Sequence, residues 1–175
     1  KLVSINIGAF QKLYGDEKAL EIAKKIGADA VDFTLPRKKV GNIHPLFLLS
    51  EEERIEHYKA VKRKADELGI VIGQTHGVIS GFKNKPEDDA YLLENAYADC
   101  LATSILGAKY CVMHGITTIH LGKDADPQFM RDLNFEMFCK ILPFAKKFGI
   151  KIATETFGDA TVECGGEKVN CIDFF

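Results

Sequence analysis

The chain contains no apolar run long enough to cross a bilayer, no excess of positive charge and no Cys-x-x-Cys pair. A membrane-spanning helix needs ~20 consecutive apolar residues, so none is expected. Lys and Arg together number 23 against 25 Asp and Glu, a net charge of -2. Basic and aromatic residues are not interleaved, so nucleic acid is not an expected partner. The five cysteines are Cys100, Cys111, Cys139, Cys164 and Cys171. An odd count without close pairs argues against a disulfide framework or a zinc ribbon. They read as reduced thiols of a cytoplasmic protein. Cys100 and Cys139 fall in helical patterns and Cys111 in a strand, where cysteine acts as a small hydrophobe. Cys164, beside Gly165 and Gly166, is the thiol expected at the surface. No secretory signal is visible, and the chain starts at Lys1.

What is present is a repeated unit. The 175 residues are 46% hydrophobic, enough for a single domain spanning 1–175 with a true core. Gly27, Gly69, Gly107 and Gly149 each separate a helical pattern from an apolar run and recur about every forty residues. That unit is a helix, a glycine cap and a strand. Strands alternating with helices imply parallel strands joined by crossover helices.

Strands are expected over residues 2–7, 30–35, 70–76, 110–114 and 149–157. In the first, Val3, Ile5 and Ile7 alternate with Ser4 and Asn6. The first helix is expected over 16–26, with Ala19, Ile22, Ala23 and Ile26 as its buried stripe. Ser50 and Glu53 form a capping box that opens the second helix, whose apolar face is Ile55, Tyr58, Val61, Ala65 and Leu68. Pro86 suits a first helical position, and that third helix is expected to reach 106. The fourth starts at Asp126-Pro127 or at Asn134, and Pro143 should kink or split it. Residues 158–175 show no clear period.

Five strand–helix units follow, the last incomplete. They suit either the first part of a parallel (β/α)8 barrel or a smaller open sheet. The barrel is preferred, because five barrel strands alone would leave two open edges and an uncovered inner face. On this reading the domain is C-terminally incomplete.

The chemistry-bearing residues fall where these strands end. Asp32, His76, His114 and Glu155 lie at or near the strand C-termini, the rim on which barrel active sites are built. Side chains alternate faces, so Gln74 with His76, Val112 with His114 and Ala153 with Glu155 each share a face. If those faces point inward, two imidazoles and a carboxylate converge as a site for manganese, zinc, magnesium or cobalt. Phe10 and Phe82 are loop aromatics that could cap a sugar ring or pack over the mouth. His44, His57 and His120 read as loop or surface residues. Arg37-Lys38-Lys39 follows the second strand; a solvated loop is the simpler reading, and a substrate phosphate the alternative.

Taken in order and spacing, GADAVDF, QTHG, CVMHG and GIKIATETF resemble the xylose-isomerase-like TIM barrel superfamily. It includes sugar phosphate isomerases and epimerases, inosose-processing enzymes and the endonuclease IV group of apurinic-site nucleases. The resemblance covers the whole chain as five of eight units. It implies that Glu155 is a metal ligand and acid/base. His76 and His114 match histidines that bind zinc in the endonuclease group and contact substrate in the sugar enzymes. Asp32 matches a supporting acidic position, and Phe82 is a further candidate for substrate contact. The family's remaining ligands, from strands six to eight, are not among these residues.

The implied function is a divalent-metal-dependent sugar or sugar-phosphate isomerase or epimerase, with a small carbohydrate as partner. The alternatives are a zinc-dependent apurinic-site endonuclease and an inosose dehydratase-like lyase. Which sugar, which stereocentre, which metal and which oligomeric state, including a homo-oligomer, are left open. The 175 residues account for 19.4 kDa, whereas a barrel of ~250 residues weighs about 28 kDa. The intact mass of the native polypeptide is expected near the larger value, and a mass of 19.4 kDa would remove the expectation of further strands.

Overall fold

A computed structural model describes residues 3–39, 41–79, 86–115, 124, 126–155, 161–164 and 167–170. In chain order the first elements are β1 (Ser4–Asn6), α1 (Gly8–Tyr14), α2 (Asp16–Lys25) and β2 (Ala30–Thr34). A small antiparallel pair follows, β3 (Lys38–Lys39) with β4 (Asn42–Ile43), and a 3-10 turn at Pro45–Leu48. Next come α3 (Glu51–Leu68), β5 (Val71–Ile79), α4 (Pro86–Ile105) and β6 (Tyr110–His114). The chain continues through α5 (Pro127–Phe148), β7 (Lys151–Ala153), β8 (Thr161–Cys164) and β9 (Glu167–Asn170).

One sheet dominates, with strand order β1-β2-β5-β6-β7 and every pairing parallel. The long connections between these strands carry helices, as parallel pairing requires. Register brings the strand ends level: Asn6 lies opposite Asp32, Thr34 opposite His76, and His76 opposite Val112. Beyond His76 the pairing slips, so that Ile79 lies opposite His114.

The two faces of the sheet have different work. Val31, Phe33, Thr75, Cys111 and Met113 are fully buried on the helix side. There they join Leu20 of α2, Val61 of α3, Ala96 and Cys100 of α4, and Met137 and Ile141 of α5. Each large apolar side chain buried in this layer contributes about 1.5–3 kcal/mol. The layer also holds a polar seam: Thr75 Oγ1 meets Thr103 Oγ1 at 2.6 Å, and Thr103 Oγ1 donates to the Asp99 carbonyl at 2.6 Å. Alternation then puts Asp32, His76, Val112 and His114 on the opposite face.

Helix ends follow the expected chemistry. Ser50 N donates to Glu53 Oε2 at 2.8 Å and Glu53 N to Ser50 Oγ at 3.2 Å, closing the capping box. Asp126, not Asn134, caps α5, accepting from Gln128 N at 3.0 Å. Gly69 and Gly149 take left-handed cap geometry, φ 63° and 68°, where a Cβ would be strained.

Several expectations need correction. Pro143 does not split α5. It sits on the exposed side, so the carbonyl it leaves unbonded faces water, while Ile141 and Ala145 hold the helix on the core side. Ile26 is 61% exposed, because α2 ends at Lys25, and Leu20 takes its place in the stripe. Helix α1, the β3–β4 pair and the β8–β9 hairpin were not anticipated; all are short, and short elements have too few residues to show a period. The last sheet strand is only Lys151–Ala153, shorter than expected, whereas β5 runs on to Ile79. Cys100 and Cys111 are buried but Cys139 is exposed. Phe82, His120 and Cys171 lie outside the described residues, as does the exposure of Cys164.

Gly77 sits where β5 slips. A Cβ built there would lie 2.7 Å from Asp99 Oδ2 and 2.8 Å from Cys111 Sγ, both in buried residues. Gly77→Ala is expected to destabilise the fold by about 1–3 kcal/mol, the usual cost of overpacking. A urea midpoint equal to that of the parent would show that β5 can relax around the methyl group.

Candidate metal centre

Four strands contribute to one cluster on the inner face. From β1, Asn6 Nδ2 donates to Asp32 Oδ2 at 3.0 Å. Asp32, from β2, also receives His76 Nδ1 of β5 on that oxygen at 3.1 Å. Nδ1 donates there, so Nε2 turns away from Asp32. It lies 2.9 Å from Nε2 of His114 in β6. Glu155, two residues past β7, brings Oε2 to 3.1 Å from His114 Nε2 and 3.8 Å from His76 Nε2. The imidazoles meet edge to face, ring centres 5.1 Å apart.

The environment grades from dry to wet. His114 is 8% exposed, while the Glu155 side chain is 48% exposed, so the cluster opens to solvent on the glutamate side. Burial pulls the Asp32 carboxyl upward, but hydrogen bonds from His76 and Asn6 outweigh it and hold the carboxyl below its ordinary value. The hydrogen bond to Asp32 raises His76 against the opposing effect of burial. Burial lowers His114, although Glu155 pulls the other way. The two shifts run in opposite directions, so His76 keeps its proton to a higher pH than His114. A doubly protonated His76 can donate through Nε2 to His114.

The donor set fits a divalent cation. His76, His114 and Glu155 offer ligand atoms that all lie within 4.8 Å of one another. A four-coordinate ion with bonds of 2.0–2.1 Å holds its ligands about 3.3 Å apart, and the separations here run from 2.9 to 3.8 Å. Two imidazoles and one carboxylate favour zinc, cobalt or manganese over magnesium, which prefers oxygen. Asp32 on the far nitrogen of His76 makes the carboxylate–histidine arrangement that orients a metal-binding ring.

Other sequence candidates lie elsewhere. Phe10 lies in α1, partly buried against the core. His57 bonds Asp16 at 2.8 Å, and His44 caps the 3-10 turn through Nδ1. Asn6 was not singled out from the sequence. Its only signal was a polar residue alternating at the end of the first strand, and its partner is 26 positions away.

No protein-family model and no curated protein matches the chain. Solved structures do. A sugar phosphate isomerase/epimerase from Parabacteroides distasonis superposes with TM-score 0.62 at 15% identity, covering 98% of this chain and 59% of its own. A D-psicose 3-epimerase determined in the presence of D-fructose gives 0.62 at 15% identity, covering 87% and 51%. The IolI protein, with a bound zinc atom, gives 0.54 at 14% identity, covering 88% and 51%. This chain therefore spans between half and three fifths of the length of these proteins. The likeness is one of fold: these five parallel strands with their helices match part of a TIM barrel. Among the described residues, no helix is long and apolar enough to cross a membrane.

Metal loading must displace the proton that His76 shares with its neighbours. Because Asp32 holds that ring above its ordinary value, proton competition begins at a higher pH than for a free histidine. Affinity for zinc is expected to fall about tenfold per pH unit once the pH drops below the His76 pKa, which lies above that of a free imidazole. Zinc titration on both sides of that pKa checks it; a flat profile would remove His76 from the ligand set.

Proposed function

We propose that this chain carries part of the active site of a divalent-metal-dependent sugar or sugar-phosphate isomerase or epimerase. The observation that supports it most is the meeting of His76 Nε2, His114 Nε2 and Glu155 Oε2 at the ends of neighbouring parallel strands. The fold likeness to a sugar phosphate isomerase/epimerase and a D-psicose 3-epimerase points to the same chemistry.

A divalent ion bound by His76, His114 and Glu155 would supply Lewis-acid polarisation of a sugar carbonyl. The rest falls to side chains. His76 is held in one orientation by Asp32, and Asp32 by Asn6, so the imidazole face is preorganised before substrate arrives. Glu155 directs one oxygen at the imidazoles; the other is the acid/base candidate for the carbon-bound proton beside the carbonyl. Its half-exposed position leaves it open to a sugar approaching from the mouth. Returning the proton to the opposite face gives an epimer, and returning it to the adjacent carbon gives the aldose–ketose isomer. Asp32 is engaged by His76 and Asn6, which leaves it a positioning role and not that of the second acid.

A zinc-dependent apurinic-site endonuclease is the second reading, because imidazoles at these two strand ends bind zinc in that group. The net charge of -2 weighs against it. Zinc-loaded protein that nicks abasic duplex DNA efficiently would reverse the preference. An inosose dehydratase-like lyase shares the metal and the proton abstraction and differs in losing water.

Glu155→Gln keeps the side chain's shape and removes its charge. Elemental analysis is expected to find a divalent metal in the purified parent and much less in the variant. Solvent deuterium incorporation beside the sugar carbonyl should fall about 100-fold or more with it. Equal metal content in the two proteins would take Glu155 out of the site.

A further inference from the structure

The first strand of the sheet stops short of its neighbour. β1 ends at Asn6 and the chain turns into α1 at Gly8. Past Asn6, Ile7 N still donates to the Asp32 carbonyl at 3.2 Å, but β2 continues to Thr34. In a parallel strand the N–H and C=O of one residue point to the same side, and those of the next residue to the other. Leu35 N donates to the His76 carbonyl at 2.8 Å, toward β5. Thr34 N and O therefore point the other way, where β1 has already ended. Left unbonded in a half-buried strand, those two groups would cost stability.

Gln11 of α1 takes the place of the missing strand residue. Thr34 N donates to Gln11 Oε1 at 3.0 Å, and Gln11 Nε2 donates to the Thr34 carbonyl at 3.0 Å. One carboxamide thus makes both bonds that a further residue of β1 would make. The second Nε2 hydrogen goes to Asp16 Oδ1 at 2.8 Å, and Asp16 Oδ2 meets His57 Nε2 of α3 at 2.8 Å. A backbone N–H on one side of the carboxamide and a carboxylate on the other dictate which of its atoms is oxygen. Gly8 lets α1 start this close to β2, because a Cβ there would lie 2.5 Å from Thr34 Oγ1.

The clamp grips β2 at the height of the cluster. Thr34 lies directly opposite His76 and two residues beyond Asp32, on the same face. Asp32 accepts the Nδ1 proton of His76 across that pair of strands. The end of β2 is therefore bonded on one edge to the His76 backbone and on the other to Gln11.

We propose that Gln11 is a positioning residue for the metal centre: its carboxamide acts as a one-residue strand that fixes the end of β2, and with it Asp32 against His76. This rests on the reading of His76, His114 and Glu155 as metal ligands. Gln11 acts on them through Thr34, and Asp16 and His57 hold the carboxamide from behind. A merely structural role would lower stability and leave the orientation of the His76 ring unchanged.

Gln11→Met keeps the length of the side chain and removes its hydrogen bonds. The test compares it with the parent by urea midpoint, by zinc affinity in competition with a chromophoric chelator, and by NMR exchange of the His76 Nδ1 proton in metal-free protein. Gln11→Met is expected to bind zinc about tenfold more weakly, the lower end of what losing a support behind a metal-binding histidine costs, and to exchange that proton faster. Ser50→Ala opens the capping box of α3 and lowers the urea midpoint without altering β1, α1 or β2. It is expected to keep the parent's zinc affinity and exchange rate. Parent-like affinity or exchange in folded Gln11→Met, or an equal loss in Ser50→Ala, would overturn the proposal. Should Gln11→Met fail to fold, Gln11→Glu keeps the acceptor for Thr34 N and loses the donors to Thr34 O and Asp16. It should still bind zinc several-fold more weakly, and undiminished affinity there overturns the proposal equally. A parent that takes up no zinc would strike the isomerase and epimerase reading. The metal-free exchange rate then decides on Gln11 by itself, and a rate unchanged by the substitution counts against it.

Discussion

Two imidazole nitrogens and a carboxylate oxygen cannot share a small space with their lone pairs facing one another unless something positive stands between them. Here the three atoms lie 2.9 to 3.8 Å apart. A proton can serve, and the hydrogen bond to Asp32 favours it on His76. A divalent ion serves the same purpose with stronger and more directional bonds. Much of the surrounding structure is arranged so that these atoms arrive together: five parallel strands end on one side of the sheet, and alternate residues on β2, β5 and β6 face the same way.

Support for the cluster comes from the opposite face. Thr75 and Cys111 lie next in sequence to His76 and Val112, and both are locked into the helix layer. With those residues packed against α4, the imidazole side of each strand has little freedom to rotate. The slip after His76 lets β5 carry an extra residue past β6 without disturbing the pairing of His76 with Val112. Glycine at 77 is what lets the strand pass the Asp99 carboxylate and the Cys111 thiol so closely. Chemistry on the inner face and packing on the outer face are thus set by the same residues of β5.

Electrostatics at the mouth run in layers. Asn6 and Asp32 form the base, the imidazoles the middle, and Glu155 the wet edge. Lys38, past the end of β2, is held by Glu94 and the Tyr91 ring.

Much of the architecture was legible in the sequence alone. A glycine every forty residues or so, a capping box at Ser50 and apolar strands that end on Asp32, His76, His114 and Glu155 specify parallel units with polar rims, because cap chemistry and side-chain periodicity are local. Short elements such as α1 and the two hairpins were not legible, since a few residues carry no period. Nor was the continuity of α5 through Pro143, which depends on which side of the helix meets water. Tertiary structure alone decided that Asp32 orients His76 and that Asn6 holds Asp32. It also decided that Asp32 raises the His76 pKa while burial lowers that of His114. Each of these depends on register and rotamer between residues 26 to 44 positions apart or on neighbouring elements, and no local pattern encodes a distance across strands.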